Sequence, residues 1–226
     1  MKLTDFKKKI PPATYQEIAK TKIKELRPCQ EKAINAELFN KKNLLICTPT
    51  ASGKTLVAEM AIHHTITNNK GKALYIVPLK ALANEKFNHF SNTYTFKTAV
   101  TSSDFDSADS YLEHTDLIIS TSEKFDSLLR HKVEWIKTIQ TIVIDEIHLL
   151  NDAHRGPTLE ILITLLRTYL NNPQIIGLSA TIGNPEELAS WLNANLIQDS
   201  WRPVTLHQGI YHDGAIQFYE NKKKRS

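Results

Sequence analysis

Short, nearly continuous apolar runs rich in β-branched residues alternate along this chain with longer segments of helical periodicity. No other feature constrains the fold as much. The runs are NLLIC (43–47), ALYIVP (73–78), FKTAVTS (96–102), DLIIST (116–121), TIVIDE (141–146) and QIIGLSAT (174–181). Most of them do not alternate apolar with polar, as a strand with one wet face would. They suit strands buried on both faces of a parallel sheet. Helical patterns fill the gaps at 54–67, 79–90, 122–129, 158–170 and 186–193, the first with Leu56, Val57, Met60 and Ala61 as its apolar positions. Strand and helix in alternation imply crossover connections and an α/β sandwich with a mostly parallel central sheet flanked by helices. Ligands of such sheets bind outside the carboxyl ends of the strands. The residues just after each run are therefore the ones to read for chemistry.

Composition narrows the class. With 226 residues of which 41% are hydrophobic, the chain can bury a sizeable core and is not disordered wholesale. A net charge of +4 accommodates an anionic partner without requiring one. Cys29 and Cys47 are too few and too scattered for a disulfide framework or a zinc cluster, and Cys47 reads as a small core residue. No apolar run approaches the length of a membrane span, and MKLTDFKKKI lacks the apolar centre of a secretory signal. A reducing, cytoplasmic setting is the default expectation. ATYQEIAKTKIKEL (13–26) reads as an accessory helix. ENKKKRS (220–226) reads as a solvated tail or linker, with nucleic-acid contact as the alternative. These shifts divide the chain into an accessory segment at 1–26, a main domain at 27–200 and an extension at 201–226.

TPTASGKT (48–55) follows a buried-type strand and opens a helix, which is the context of a phosphate loop. Gly53 allows close backbone approach. Successive N–H groups of Thr50, Ala51 and Ser52 and the helix N-terminus would cradle the anion. Lys54 is placed to reach β- and γ-phosphates, and Thr55 offers a hydroxyl to Mg²⁺. The first glycine of the usual pattern is replaced by Thr48, but Pro49 beside it fixes its own φ. The plain alternative is a strand–turn–helix junction with an incidental Gly-Lys-Thr.

TIVIDEIHLL (141–150) sets Asp145 and Glu146 at the end of a very apolar strand. If that strand neighbours the one before the phosphate loop, Asp145 can hold Mg²⁺ through its water shell and Glu146 can polarise an attacking water. Alone, such a pair also serves as a helix cap or a solvated corner. His148 lacks the second histidine of a zinc-protease face and reads as a hydrogen-bonding group near the γ-phosphate. In GLSATIGNPEELASWL (177–192), Ser179 and Thr181 are small hydroxyl residues at a strand end, able to bond the acidic pair or His148.

In this order, these blocks resemble motifs I, II and III of superfamily 2 helicases. LRPCQEKAI (26–34) resembles the Q motif, with Gln30 suited to the adenine edge; VPLKALANEK (77–86) resembles motif Ia. With TSEKFDSLLR, RGPTLEIL and WRPVTLHQGI, the set is similar to the archaeal Hjm group of DNA helicases, relatives of HelQ in the superkiller-like branch. The resemblance runs from about Leu26 onward. It implies a RecA-like P-loop domain that uses ATP and Mg²⁺ and, in the parent protein, moves 3′ to 5′ on single-stranded or forked DNA in repair and recombination. Carried over, Pro78, Lys80, Ala83, Thr121, Ser122 and Lys124 are candidate DNA contacts. Lys80 and Lys124 also have a physical case, as cations beside strand ends. Ser102 and Asp104 are weaker candidates, because Ser103 replaces the glycine the family has between them.

The resemblance also implies a second RecA-like domain that supplies arginines to the γ-phosphate. No motif of that domain follows Thr181 in this chain. The expectation is an isolated first motor domain, monomeric, binding ATP weakly and not unwinding alone. The rival readings are an RNA helicase of the same branch, a non-catalytic nucleotide-binding module, and a small-molecule P-loop kinase. The last leaves Gln30 and the Ser-Ala-Thr block unexplained.

Overall fold

The computed structural model describes residues 1–69, 71–101, 109–131, 133–207 and 209–218. The elements run α1 (Pro12–Lys20), α2 (Pro28–Asn35), β1 (Leu44–Cys47), α3 (Lys54–Asn68), β2 (Lys72–Val77), α4 (Lys80–Thr93) and β3 (Thr98–Thr101). They continue with β4 (Leu117–Thr121), α5 (Ser122–Arg130), β5 (Ile139–Ile144), α6 (Gly156–Tyr169), β6 (Gln174–Ser179), α7 (Pro185–Leu192), β7 (Asn195–Gln198), β8 (Gly209–His212) and β9 (Ala215–Phe218).

Strands β1 to β7 form one seven-stranded sheet in the order β3-β4-β2-β5-β6-β1-β7. Every pairing in it is parallel. The unbroken apolar character of the strands has a direct structural cause. Leu44 and Ile46 of β1 face a core shared with α1, α2, α3 and α4, built around Tyr75, Val57, Met60 and Phe90. Leu45 and Cys47 face the opposite core, with Phe125, Leu162, Leu166 and Leu192 from α5, α6 and α7. A strand with a core on each face has no polar side to show. Each fully buried Leu, Ile or Phe contributes about 1.5–3 kcal/mol over its exposed state. The central strands are thus where stability concentrates.

The N-terminal segment joins the first core rather than standing apart. Leu3, Phe6, Ile10, Ile18 and Leu26 are all buried in it. The expected helix across 13–26 is shorter than its periodicity suggests. It ends at Lys20 with Thr21 extended as C-cap, and Lys2 pairs with Glu25 as an antiparallel bridge. Leu3 N donates to Lys24 O and Leu26 N to Met1 O, both at 2.9 Å, on either side of that bridge.

Two further elements lie outside the strand pattern. NLIQ forms β7 beside β1 at one edge of the sheet. In the 201–226 extension, β8 and β9 make an antiparallel hairpin separate from the main sheet. Its turn residues Asp213 and Gly214 both have positive φ, 47° and 78°. The ENKKKRS tail, and Ser102 and Asp104 with it, lie outside the described residues.

Candidate functional site

The site begins where β1 stops. Thr48, at the position of the missing first glycine, is fully buried, and its Oγ1 lies 2.7 Å from Ser52 Oγ across the loop. The hydroxyl clamps the loop entrance that a glycine would have left to backbone alone. Ala51 and Gly53 both sit in the left-handed region, at φ 64° and 95°. At Gly53 the neighbours also leave no room for a side chain. A Cβ there would lie 2.5 Å from Gln30 Nε2 and 2.9 Å from Arg27 Cδ. From Gly53 the chain enters α3, so the unpaired amides of its first turn face the loop.

Lys54 is half-buried and donates to the carbonyl oxygens of Thr48 at 2.8 Å and Pro49 at 3.2 Å. Burial lowers its pKa, while the carboxylates of Glu146 and Asp145 act in the opposite direction. The lysine thus feels the acidic pair across the mouth of the sheet. Thr55 is half-buried one position later.

Gln30 is buried and committed on both ends of its amide. Its Oε1 accepts from Arg27 N at 2.8 Å, capping α2, and its Nε2 donates to Gly53 O at 3.0 Å. Arg27 adds a bond from Nη1 to Ala51 O at 2.5 Å, and Cys29 Sγ donates to Ser52 O at 3.3 Å. The N-terminal turn of α2 therefore grips the phosphate loop from below. The motif reading found Gln30. It missed Arg27, Cys29 and the Thr48–Ser52 clamp, which no spacing rule announces.

The acidic pair does not sit on a strand adjacent to β1. Strand β6 lies between β5 and β1, which corrects the expected neighbourhood. Strand order cannot be read from chain order, and a later strand has been inserted between two earlier ones. All three strands are parallel, so their carboxyl ends still open on one edge: Thr48 N donates to Ser179 O at 3.3 Å, while Asp145 N donates to Ile76 O at 2.9 Å. Glu146 is left-handed, φ 50°, at the start of a single 3₁₀ turn, Ile147–Asn151. His148 Nδ1 lies 3.3 Å from Glu146 Oε2, a contact that falls outside hydrogen-bond geometry.

Asp145 accepts from the Tyr75 hydroxyl at 3.0 Å on Oδ2, and from Glu146 N at 3.1 Å on Oδ1. Lys86 Nζ is 3.8 Å from the same Oδ2. Burial, followed by the charge of Asp145, pushes the Tyr75 phenol well above its ordinary pKa, so it stays a donor. Neither Tyr75 nor Lys86 was evident from motif spacing.

Ser179 and Thr181 do not bond the acidic pair or His148, contrary to expectation. Ser179 Oγ is fully buried opposite Cys47 on β1 and makes no well-formed hydrogen bond, although the Cys47 thiol feels it as a neighbour. Thr181 is exposed beyond the strand, lining an open cavity of about 420 Å³ with Lys32, Gln198 and Asp199. Ser179 is the last residue of β6, the strand between β5 and β1, and Thr181 lies two residues beyond it.

Of the candidate DNA contacts, Lys80 is exposed at the start of α4 and Pro78 is half-buried just before it. Ala83, Thr121, Ser122 and Lys124 are buried, so Lys124 is not the surface cation that its position beside a strand end suggested. Thr121 caps α5 by accepting from Lys124 N at 3.4 Å. Pro78, Ser122 and Asp145 share the lining of one small cavity with Arg155, which brings the ends of β2, β4 and β5 together.

The donor set suits a hard divalent cation. Thr55 and Asp145 offer oxygen, and among the described residues no cluster of three or more His, Cys, Asp or Glu side chains gathers into an all-protein metal cage. A cation here would be shared with phosphate oxygens and water.

Comparison with known proteins follows the same lines. The DEAD/DEAH box helicase family matches residues 27–188. The chain is 51% identical over 211 residues to the ATP-dependent DNA helicase Hel308 of Caldivirga maquilingensis, covering 92% of this chain and 28% of that protein. It is 51% identical over 208 residues to Hel308 of Pyrococcus horikoshii, covering 91% of this chain and 28% of that one. The chain thus spans 28% of the length of these curated relatives. Among solved structures, the DUF1998 helicase MrfA bound to DNA superposes with a TM-score of 0.71 at 27% identity, covering 85% of this chain and 30% of MrfA. No helix among the described residues is long and apolar enough to cross a membrane.

Proposed function

The chain belongs to the DEAD/DEAH box helicase family, and from that premise we propose that it is the ATP-binding first motor domain of an ATP-dependent DNA helicase. The observation that carries this reading is geometric. Strands β1, β6 and β5 run parallel, so the loop that carries Lys54 and the Asp145–Glu146 pair both leave the sheet at its carboxyl edge.

Each residue then has a definite task. Lys54 exchanges the carbonyls of Thr48 and Pro49 for phosphate oxygens, to which its ammonium donates more strongly. The amides of Thr50, Ala51, Ser52 and Gly53 line the loop. Gln30 has used one of its two amide protons and one of its two carbonyl lone pairs. The remaining proton and lone pair match the donor and acceptor of an adenine edge. Thr55 and Asp145 would hold Mg²⁺, which supplies charge neutralisation at the phosphoryl oxygens when bound. Glu146 orients the attacking water and accepts its proton, and His148, whose Nδ1 makes no hydrogen bond in this structure, is proposed as a hydrogen-bonding group near the γ-phosphate. Ser179 at the end of β6 and Thr181 just beyond it are proposed to link nucleotide state to the nucleic-acid grip.

Polarity from 3′ to 5′, action on single-stranded and forked DNA in repair and recombination, kinship with the Hjm group, a monomeric state and an intracellular setting follow from the resemblance and form part of the proposal. The Hel308 relatives are named as ATP-dependent DNA helicases, and MrfA was solved on DNA. Lys80 and Pro78 are proposed to meet the nucleic-acid backbone; the resemblance also names Ala83, Thr121, Ser122 and Lys124, which are buried in this structure, together with Ser102 and Asp104. A second RecA-like domain in the longer protein would bring the arginines that complete the site, so this chain alone is expected to bind ATP and to hydrolyse it slowly. The test compares ATPase stimulation of the longer protein by single-stranded DNA and by RNA of matched sequence. Stimulation by DNA at least tenfold above RNA supports the reading. Stimulation by RNA alone replaces it with an RNA helicase, and stimulation by neither leaves only a nucleotide-binding module.

A further inference from the structure

Asp145 Oδ1 accepts from the neighbouring Glu146 amide, and it is Oδ2 that ties the carboxylate to other elements of the fold. Oδ2 accepts the Tyr75 hydroxyl at 3.0 Å and faces Lys86 Nζ at 3.8 Å. Lys86 Nζ also lies 5.9 Å from the centre of the Tyr75 ring, over its face. Tyr75 comes from the middle of β2 and is wholly buried, whereas Lys86 comes from α4, so two elements converge on one carboxylate. The ion pair is sheltered: the Lys86 and Asp145 side chains are only 13% and 14% exposed. A pair so placed is screened by water and salt far less than a surface pair.

Lysine is seldom drawn this deep without a partner, and here the partner is the proposed metal carboxylate. The consequence for a divalent cation is repulsive. An ammonium beside Oδ2 offsets the negative charge that attracts the metal, and the Tyr75 donor drains the same oxygen further. Resting on the nucleotide-site reading, we infer that Lys86 is a positioning residue that sets the cation affinity of Asp145. Seated by Tyr75, it holds that affinity below what the carboxylate would have alone. This places the control on α4, whose first residue is Lys80, a proposed nucleic-acid contact. A motor has reason to keep such a grip loose, because a site that holds its metal–nucleotide product too tightly does not turn over.

The test measures binding of a fluorescent ADP analogue to this chain over a range of Mg²⁺ concentrations, with Mn²⁺ electron paramagnetic resonance as a second readout. Lys86→Met should shift the Mg²⁺ midpoint about tenfold lower, and Lys86→Arg, which keeps the charge, should stay within about twofold of the parent. Tyr75→Phe should shift the midpoint in the same direction but less. Thermal melts without nucleotide check folding, and Lys86→Gln replaces Lys86→Met if the latter does not fold. A residue with only a packing role would weaken nucleotide binding at saturating Mg²⁺ without lowering the midpoint. A midpoint unchanged or raised in the charge-removing variant overturns the inference while leaving the nucleotide site intact. Binding that is indifferent to Mg²⁺ in the parent chain, or to Lys54→Ala, overturns the nucleotide-site reading and the inference with it.

Discussion

Lys54 Nζ donates to the Thr48 carbonyl oxygen at 2.8 Å, six residues back along its own loop. The bond satisfies a half-buried ammonium with neutral acceptors, while two carboxylates at the same sheet edge oppose the effect of burial on it. A cation held this way is ready to exchange weak acceptors for phosphate. The shape of the loop depends on its glycine, and the first prediction tests that dependence.

Gly53→Ala should destabilise the fold by about 1–3 kcal/mol. The backbone stands at φ 95°, and the added carbon would lie 2.5 Å from Gln30 Nε2 and 2.9 Å from Arg27 Cδ. Moving either side chain breaks the grip of α2 on the loop. Urea melts of the two proteins would show this as a lower midpoint with unchanged slope, and coincident midpoints would contradict it.

Gly156 and Gly183 form a contrasting pair. A Cβ at Gly156 would lie 2.2 Å from Leu150 O and 3.0 Å from Leu150 C, both backbone atoms, whereas one at Gly183 meets nothing within 4 Å. Gly156→Ala should therefore cost about 2 kcal/mol or more, and Gly183→Ala should stay within about 0.5 kcal/mol of the parent. Equal effects in calorimetric melts would show that the 3₁₀ turn carrying His148 is not packed against α6 as described.

The histidines give opposite pH signatures. His89 has its pKa raised by its hydrogen bond to Glu59, at 2.9 Å. Its contribution is complete below the unfolded value of about 6.5 and is lost as pH rises through the folded value. Burial lowers the pKa of His63 and of His64. Their contribution is complete above about 6.5 and is lost as pH falls through their folded values. His89→Gln should thus reduce stability more at pH 5.5 than at pH 8.5. A larger loss at the higher pH would reverse the assignment.

In the longer helicase that the proposed function implies, Glu146→Gln should cut ATP hydrolysis by about a hundredfold or more, because the amide cannot take the proton from water. Affinity for Mg-ATP should change by less than about threefold, since Asp145 and Lys54 remain. Single-turnover kinetics separate the two quantities, and unimpaired turnover would remove Glu146 from its proposed role.

Much of the architecture was legible in the sequence because burial on both faces leaves a visible trace. Leu44 to Cys47 and Ile142 to Ile144 carry no charged or amide side chain for the simple reason that each side chain meets a core. The phosphate loop and the acidic pair were legible because local spacing encodes their chemistry. What depends on long-range pairing was not. The placement of β6 between β5 and β1 separates the two motifs by a strand and turns Ser179 toward Cys47. Lys124 lies beside a strand end as the sequence implies, yet the packing of α5 buries it. Tyr75 and Lys86 are 70 and 59 positions from the Asp145 they contact, and no periodicity links them. The hairpin of β8 and β9 could have been found, because Asp213-Gly214 between apolar residues is a strong two-residue turn signal.

The most direct test of the account is isothermal titration of this chain with Mg-ATP beside the Lys54→Ala variant, with circular dichroism to show that both are folded. The account predicts saturable one-to-one binding by the parent chain and none measurable for the variant. Equal affinity in the two folded proteins would contradict the assignment of the 48–55 loop, and with it the motor domain built around it.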